Sequence, residues 1–299
     1  MIAGATRAPG RLGVWVLGAR PPTLVAAVVP VMVGAASVGR HAVSAPRTVL
    51  ALIVALGLQV AVNYANDYFD GTRGVDTPAR LGPQRLVASG MASARSVAAA
   101  AACAVLVAAA AGISLALLTS VWLLLIGAAA ILALVLYSGG PSPYGSRGLG
   151  EVAVFLFFGV VATAGTAYVQ QQTVPAASWL AAVSVGLNAC LLLMVNNIRD
   201  IPTDSDAGKR TVAVRLGDRR SRVLLIVTAA VSLLVPVVGS AAGAMPRVAA
   251  LSALSGVIAL RPLRAAQTER GRALVPVLIG LSRFDLAFAA VLTTAFLVS

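Results

Sequence analysis

The sequence predicts an all-α, polytopic membrane protein. Nine transmembrane helices surround a central cavity, as two four-helix pseudo-repeats plus a ninth helix. Three observations lead there. The 299 residues are 59% hydrophobic and only 11% charged, against roughly 25% charged in a soluble domain. The apolar residues fall in runs close to the roughly 20 residues that cross a bilayer, leaving little chain for any soluble domain. Finally, 23 Lys+Arg stand against 10 Asp+Glu, a formal net charge of +13 at pH 7, and the basic residues sit in short loops between runs. A nucleic-acid binder would display them over a polar face. Nucleic acid is therefore excluded as a partner, and the loops carry the signature of membrane orientation.

The nine segments are 21–39, 47–67, 96–117, 121–138, 150–169, 177–199, 222–241, 246–261 and 274–298. Residues 1–299 are read as one transmembrane domain, with 1–20 a cytoplasmic N-terminal segment. Arg7, Arg11 and Arg20 before the first run mimic a signal peptide, but the run outlasts one, so it is read as an uncleaved helix. Pro30 and Pro236 predict kinks in the first and seventh segments. The eighth is short and starts near Arg247. All Lys+Arg except Arg40, Arg47 and Arg247 fall on the N-terminal side of this layout. That sets the N-terminus in the cytoplasm of a bacterial plasma-membrane protein and the C-terminus outside. Cys103 and Cys190 lie inside apolar runs, with no disulfide or metal spacing. His41 is the only histidine, which argues against histidine-based metal or triad chemistry.

The acids are the anomaly. All ten fall on or near the inner side, and acids contribute little to topology. Two clusters close helices 2 and 6. In "VNYANDYFDGTRGVD", Asn63, Asn66, Asp67 and Asp70 are spaced i, i+3, i+4 and i+7, sharing one face if the helix runs that far. Gly71 and Gly74 then break it, leaving Asp76 on a loop. In "NNIRDIPTDSDAGKRT", Asn196, Asp200 and Asp204 follow at i, i+4 and i+8, with Asn197 beside them. Pro202 predicts that the helix stops near Ile201, so Asp204 and Asp206 belong to a loop. Crowded carboxylates repel, and a helix C-terminus disfavours anions. A divalent cation relieves both penalties. Mg²⁺ takes oxygen ligands, usually one or two carboxylates plus substrate phosphates. Two such clusters facing each other predict a site for Mg²⁺ and a diphosphate. A faint echo between "NYANDYFD…RLVASG" and "NNIRDIPTD…RTVAVRLG" makes helices 2 and 6 equivalent members of the pseudo-repeats.

These residues resemble the UbiA-type intramembrane aromatic prenyltransferases, whose members carry an NDxxDxxxD-like motif after helix 2 and a DxxxD motif after helix 6. Here the first is Asn66, Asp67, Asp70 and a displaced Asp76; the second is Asp200 and Asp204. "ARPPTL", "GPQRLV", "YSGGPSPYGSRGLGE" and "NNIRDIPTDSDAGKRTVAVRLGD" are similar to the branch acting on 1,4-dihydroxy-2-naphthoate. The resemblance implies Mg²⁺ held by Asp67, Asp70, Asp76, Asp200 and Asp204, with a polyprenyl diphosphate bound there. Arg85, Lys209 and Arg210 would add donors to its oxygens. Asn63, Asn66, Asn196, Asn197 and Arg147 complete the implied substrate-binding set. Ionisation leaves an allylic carbocation that the electron-rich ring attacks, with loss of CO₂ and a ring proton. Membrane lipid is the surrounding partner, and no protein partner is required.

A carbocation needs a dry cavity and is stabilised by aromatic faces. Tyr137 and Tyr144, flanking the Gly/Pro-rich 4–5 loop, are the candidates. Tyr64, Tyr68, Phe69, Phe155 and Phe158 are read first as interfacial or packing residues. Glu151 opens helix 5, where an acid suits the helix dipole; the alternative is that it holds the aromatic substrate or handles its proton. Relatives often carry Lys before "PYG" and Tyr after it, where this chain has Ser142 and Ser146, making Arg147 a substitute for carboxylate recognition. A transporter would place polar sites near the midplane on broken helices, whereas these acids cluster at helix ends. A scaffold leaves the twin clusters without a cause. Another aromatic acceptor, such as 4-hydroxybenzoate, is the alternative within the enzyme class.

Overall fold

The computed structural model describes residues 10–74 and 84–299, and these are all-helical, with no strand among them. The chain begins with α1 (Arg11–Ala19), a 3₁₀ turn over Pro21–Thr23, and α2 (Val25–Ala36). Two long helices follow, α3 (Ala45–Thr72) and α4 (Ala94–Leu118), then the shorter α5 (Leu123–Ser138). The next span is composite: α6 (Gly150–Val154), a π-helical stretch over Phe155–Ala164, and α7 (Gly165–Gln171). After it come α8 (Ala176–Arg199), the short α9 (Ile201–Asp206) and α10 (Val212–Ala241). A 3₁₀ stretch over Arg247–Ser255 leads into α11 (Gly256–Thr268), and α12 (Leu274–Val298) ends the chain.

Every expected segment is helical, but length and composition alone support seven spans, or eight with the bent pair at the start counted as one. α5, with 16 residues, is shorter than a usual span. The bend in the first span is 52° and lies at Leu24, after the Pro21–Pro22 turn, while α2 runs on through Pro30. α10 likewise continues through Pro236; its break is at Gly217, whose φ of 76° a residue with a Cβ rarely adopts. Breaks thus fall at a double-proline turn and at a glycine, while α2 and α10 stay helical through Pro30 and Pro236.

α8 is the axis of the bundle. Seventy-two per cent of its apolar window is buried, against 22–44% for the other spans. Phe284, Phe288, Leu281 and Leu292 of α12 pack with Leu191 and Val195 of α8 and Leu225 of α10 in the main core. The π-helical stretch crosses α8 at a glycine pair: a Cβ on Gly159 would stand 2.4 Å from Gly186 Cα. Between membrane helices, such small-residue contacts let backbones close on each other and gain dispersion energy. α3, by contrast, packs mainly along α4. Between the two halves lies a chamber.

Candidate active site

The chamber has a volume of about 640 Å³ and walls that are largely aliphatic. On α3 its lining runs from Asn66 to Ala51, and on α5 from Tyr137 to Trp122. Fifteen residues of helix make it roughly 22 Å long, most of the apolar thickness of a bilayer. One end is polar: Arg20, Asn63, Asn66, Asn196, Tyr137 and Tyr144 surround it. Trp122 and Trp179 stand at the other.

The first motif is helical through Asp70, because α3 continues to Thr72 before Gly74 turns with φ 68°. Its residues then divide. Asn63, 3% exposed, donates to the Ala19 carbonyl at 2.8 Å and to Thr23 Oγ1 at 3.0 Å, holding the corner between α1 and α2. Gln59 donates to the same Thr23 hydroxyl at 3.1 Å. Asn66 Oδ1 accepts from Ser138 Oγ at 2.6 Å, tying α3 to the end of α5. Asp67 is 1% exposed, and its carboxylate accepts from the backbone N–H groups of Leu86 and Val87 at 2.8 and 3.0 Å. The structure thus places Asp67 as the anchor of the 85–90 turn; like Asp70, Asp200 and Asp204, it does not line the chamber itself. Asp70 pairs with Arg85, itself 6% exposed, at 3.2 Å. Asp76 lies outside the described residues.

The second motif departs from the expected loop. α8 ends at Arg199, and Asp204 and Asp206 belong to the short helix α9, with Pro202 in its first turn. Proline is tolerated there because the first-turn N–H groups have no helical partner. Asp200 takes two hydrogen bonds from the Arg199 guanidinium, at 2.8 and 2.7 Å. Asp204 pairs with Lys209 at 3.3 Å. Asn196 lines the chamber, its amide donating to the Leu192 carbonyl.

The two helix ends converge on the aromatic pair. The Tyr137 and Tyr144 rings meet edge to face, centroids 5.4 Å apart. Ser138, next to Tyr137, donates to Asn66 of α3, and the Ser146 carbonyl, two residues past Tyr144, accepts from the N–H of Arg210, which follows Lys209, the partner of Asp204. Tyr144 donates to the Ala133 carbonyl at 2.9 Å, and burial pushes its hydroxyl up to about 12, so it stays a neutral phenol at physiological pH. Asn197 holds Glu151 rather than the open chamber: its amide donates to Oε1 at 2.8 Å, while Oε2 is buried without a protein partner among the described residues. The 4–5 loop is stapled to the second motif. Arg210 N–H donates to the Ser146 carbonyl at 2.7 Å, and Arg215 Nη2 donates to the Arg147 carbonyl at 2.6 Å. The side chains of Arg147 and Arg210 are exposed at this rim.

Sequence reasoning missed Arg20, Thr23, Gln59, Phe157 and the stapling role of Arg215. Arg20 reads in the sequence only as topological charge, although the prolines after it signal a turn. Phe157 enters the lining with Phe158 through the π-helical stretch, whose i→i+5 turns no residue pattern announces. Phe155 packs on Gly186 instead, as Tyr64 does on Trp15. Asp285 and Asn188, 2% and 1% exposed, face each other between α12 and α8, away from the lining.

No group of three His, Cys, Asp or Glu converges among the described residues. A substrate-bridged Mg²⁺ needs fewer protein ligands, one or two carboxylates plus phosphate oxygens. Asp70 and Asp204, one from each helix end, meet that demand, and both already hold a cation, Arg85 or Lys209. The donor set therefore fits the ion.

Fold and site together define an intramembrane enzyme class: a helical bundle with an acid-rimmed, aromatic mouth opening on a long apolar chamber. The chain belongs to the UbiA prenyltransferase family, whose model matches residues 27–297. A relative from Mycobacterium tuberculosis, 1,4-dihydroxy-2-naphthoate octaprenyltransferase, is 45% identical over 268 residues, covering 88% of this chain and 90% of the relative. The protein of the same name from Escherichia coli is 36% identical, covering 71% of each chain. Among solved structures, a UbiA homolog from Aeropyrum pernix superposes with TM-score 0.69 at 20% identity, covering 90% of this chain and 96% of that one. A homolog from Archaeoglobus fulgidus bound to GPP and Mg²⁺ gives 0.66 at 16%, covering 93% and 99%. These last two likenesses concern the fold.

Proposed function

We propose that this chain transfers a polyprenyl group from a polyprenyl diphosphate to 1,4-dihydroxy-2-naphthoate, with loss of diphosphate and CO₂, giving demethylmenaquinol. The observation that carries the reading is that the acid-bearing ends of α3 and α8–α9 are both hydrogen-bonded to the segment carrying the Tyr137–Tyr144 pair, at the polar end of a long apolar chamber. The substrate names come from the 45% and 36% identical relatives.

The diphosphate sits at the acid rim and the prenyl tail runs down the chamber toward Trp122 and Trp179. Asp70, Asp200 and Asp204 would hold Mg²⁺, which would supply the positive charge that the departing diphosphate requires. Arg85, Lys209 and Arg210 add donors to its oxygens. The allylic C–O bond breaks, the ring provides the electron pair for the new C–C bond, and the carboxylate leaves as CO₂. The Tyr137 and Tyr144 rings face the cation, and the aliphatic walls keep out water that would capture it. Glu151, fixed by Asn197, takes the proton from the ring carbon that gains the prenyl group and returns it to the carbon that loses CO₂. Arg147 at the loop rim receives the acceptor carboxylate. Asp67 acts through the backbone it anchors. The distribution of arginines supports a mouth and an N-terminus on the cytoplasmic side of the plasma membrane.

The test is a panel of aromatic acceptors offered with one polyprenyl diphosphate and Mg²⁺ to the purified protein in lipid. Prenylated, decarboxylated product from dihydroxynaphthoate in preference to 4-hydroxybenzoate supports the reading. Preference for 4-hydroxybenzoate, or no product from either, overturns it.

A further inference from the structure

At one edge of the bundle, away from the chamber, exposed arginines gather. Arg219 and Arg220 lie on α10, Arg261 and Arg264 on α11, and Arg270 and Arg272 at the turn into α12. All six are exposed, and none has a side-chain hydrogen bond or ion pair among the described residues. The two regions touch. Arg222 of α10 donates to the Ala266 carbonyl, Gln267 donates back to the Arg222 carbonyl at 3.4 Å, and the charge of Arg270 reaches Asp218. The nearby acids do not neutralise the patch: Asp218 is occupied by Arg222 at 2.8 Å, and Glu269 is exposed.

The position of two of these arginines is costly. Val257, Arg261 and Arg264 stand at i, i+4 and i+7, on one flank of α11. Val257 is 70% exposed, with Leu254 at 67% and Leu260 at 49%. This flank therefore passes from bare aliphatic to bare guanidinium within roughly 10 Å. The aliphatic part faces acyl chains, which sets the arginines at headgroup depth. A lipid-facing arginine is unfavourable unless its head reaches water or a phosphate. The guanidinium fork matches phosphate oxygens in two-bond geometry. A soluble acidic protein would meet the charges but not the acyl-facing residues just beneath them.

We infer that this edge is a binding surface for anionic phospholipid. Its phosphates rest on Arg261, Arg264, Arg270 and Arg272, and its acyl chains lie along Leu254, Val257 and Leu260. The full-length protein, reconstituted in phosphatidylcholine bilayers with a minority of phosphatidylglycerol and gently re-extracted, tests this when the co-purifying lipids are weighed by mass spectrometry. Phosphatidylglycerol enriches on the unaltered protein, and enrichment falls about fivefold for each arginine removed, in Arg264→Gln and further in Arg261→Gln/Arg264→Gln. Arg95→Gln, the same charge change on exposed α4, leaves it unchanged. Equal enrichment in the double variant, or an equal fall in Arg95→Gln, overturns the site. Displacement of the lipid by millimolar inorganic phosphate does so too, since the patch would then prefer the free ion. Should the double variant fold poorly, Arg264→Gln alone decides between the same outcomes.

Discussion

Asn197 donates to Oε1 of Glu151 at 2.8 Å and leaves Oε2 buried with no protein partner among the described residues. A carboxylate fixed at one oxygen and open at the other is arranged to accept a proton or a substrate hydroxyl, since an unsatisfied buried acceptor is otherwise unfavourable. Glu151→Gln is expected to lower kcat by about 10²-fold or more, the usual scale for general acid–base catalysis. Asn197→Ala is expected to lower it about tenfold, the low end for one hydrogen bond to a charged group. Steady-state kinetics with thermal unfolding as a fold control checks both, and a kcat unchanged in Glu151→Gln refutes the role.

Asp67 and Asp70 are one turn apart and are predicted to fail differently. Asp67→Ala leaves the Leu86 and Val87 N–H groups without their acceptor, at about 3 kcal/mol or more, and should lower Tm with or without Mg²⁺. Asp70→Asn removes a rim carboxylate but keeps an oxygen that can accept from the Arg85 guanidinium; it should lower Tm less than Asp67→Ala does and raise the Mg²⁺ concentration needed for half-maximal rate. Unfolding curves and Mg²⁺ titrations on both variants separate anchor from ligand.

The Gly159–Gly186 crossing is a stability prediction. A Cβ at Gly159 would meet Gly186 backbone at 2.4 Å, whereas one at Gly165 meets nothing within 4 Å. Gly159→Ala is expected to destabilise by about 1–3 kcal/mol, as overpacking does. Gly165→Ala is expected to be neutral or stabilising by up to about 1 kcal/mol from helix propensity. Thermal denaturation in one detergent ranks them.

The chamber predicts control of tail length. Gly127 lines it, and a Cβ there meets nothing within 4 Å. Gly127→Phe should fill the space that the proposed path of the tail takes beyond its first units. The ratio of kcat/KM for long over short prenyl diphosphates should fall about tenfold, while short donors react normally. An unchanged ratio would place the tail elsewhere.

The helical bundle was legible because apolar runs of bilayer length admit few other structures. The two acid clusters were legible because like charge at a helix C-terminus calls for a cation. The rest needed coordinates. Asp67 and Asp70 carry the same group on one helix face, and only the path of residues 85–90 assigns the first to backbone N–H groups. Asn197 looked like a substrate ligand because its neighbour Glu151 is 46 residues away in sequence. The break at Gly217 left no mark in the apolar pattern, and a lipid-buried bundle supports Pro30 and Pro236 inside continuous helices. The π-helical stretch over Phe155–Ala164 leaves no mark in the pattern of apolar residues.

The central claim is that acids from both helix ends act on one diphosphate. It is tested most directly by diphosphate release, assayed from a polyprenyl diphosphate and dihydroxynaphthoate with Mg²⁺, with EDTA, and with Asp70→Asn and Asp204→Asn singly and together. Release that depends on Mg²⁺, falls at least about 10²-fold in each single variant and falls little further in the double variant is the predicted result, since residues acting as a unit are not additive. Independent, multiplying losses, or full activity in either single variant, would contradict a shared site.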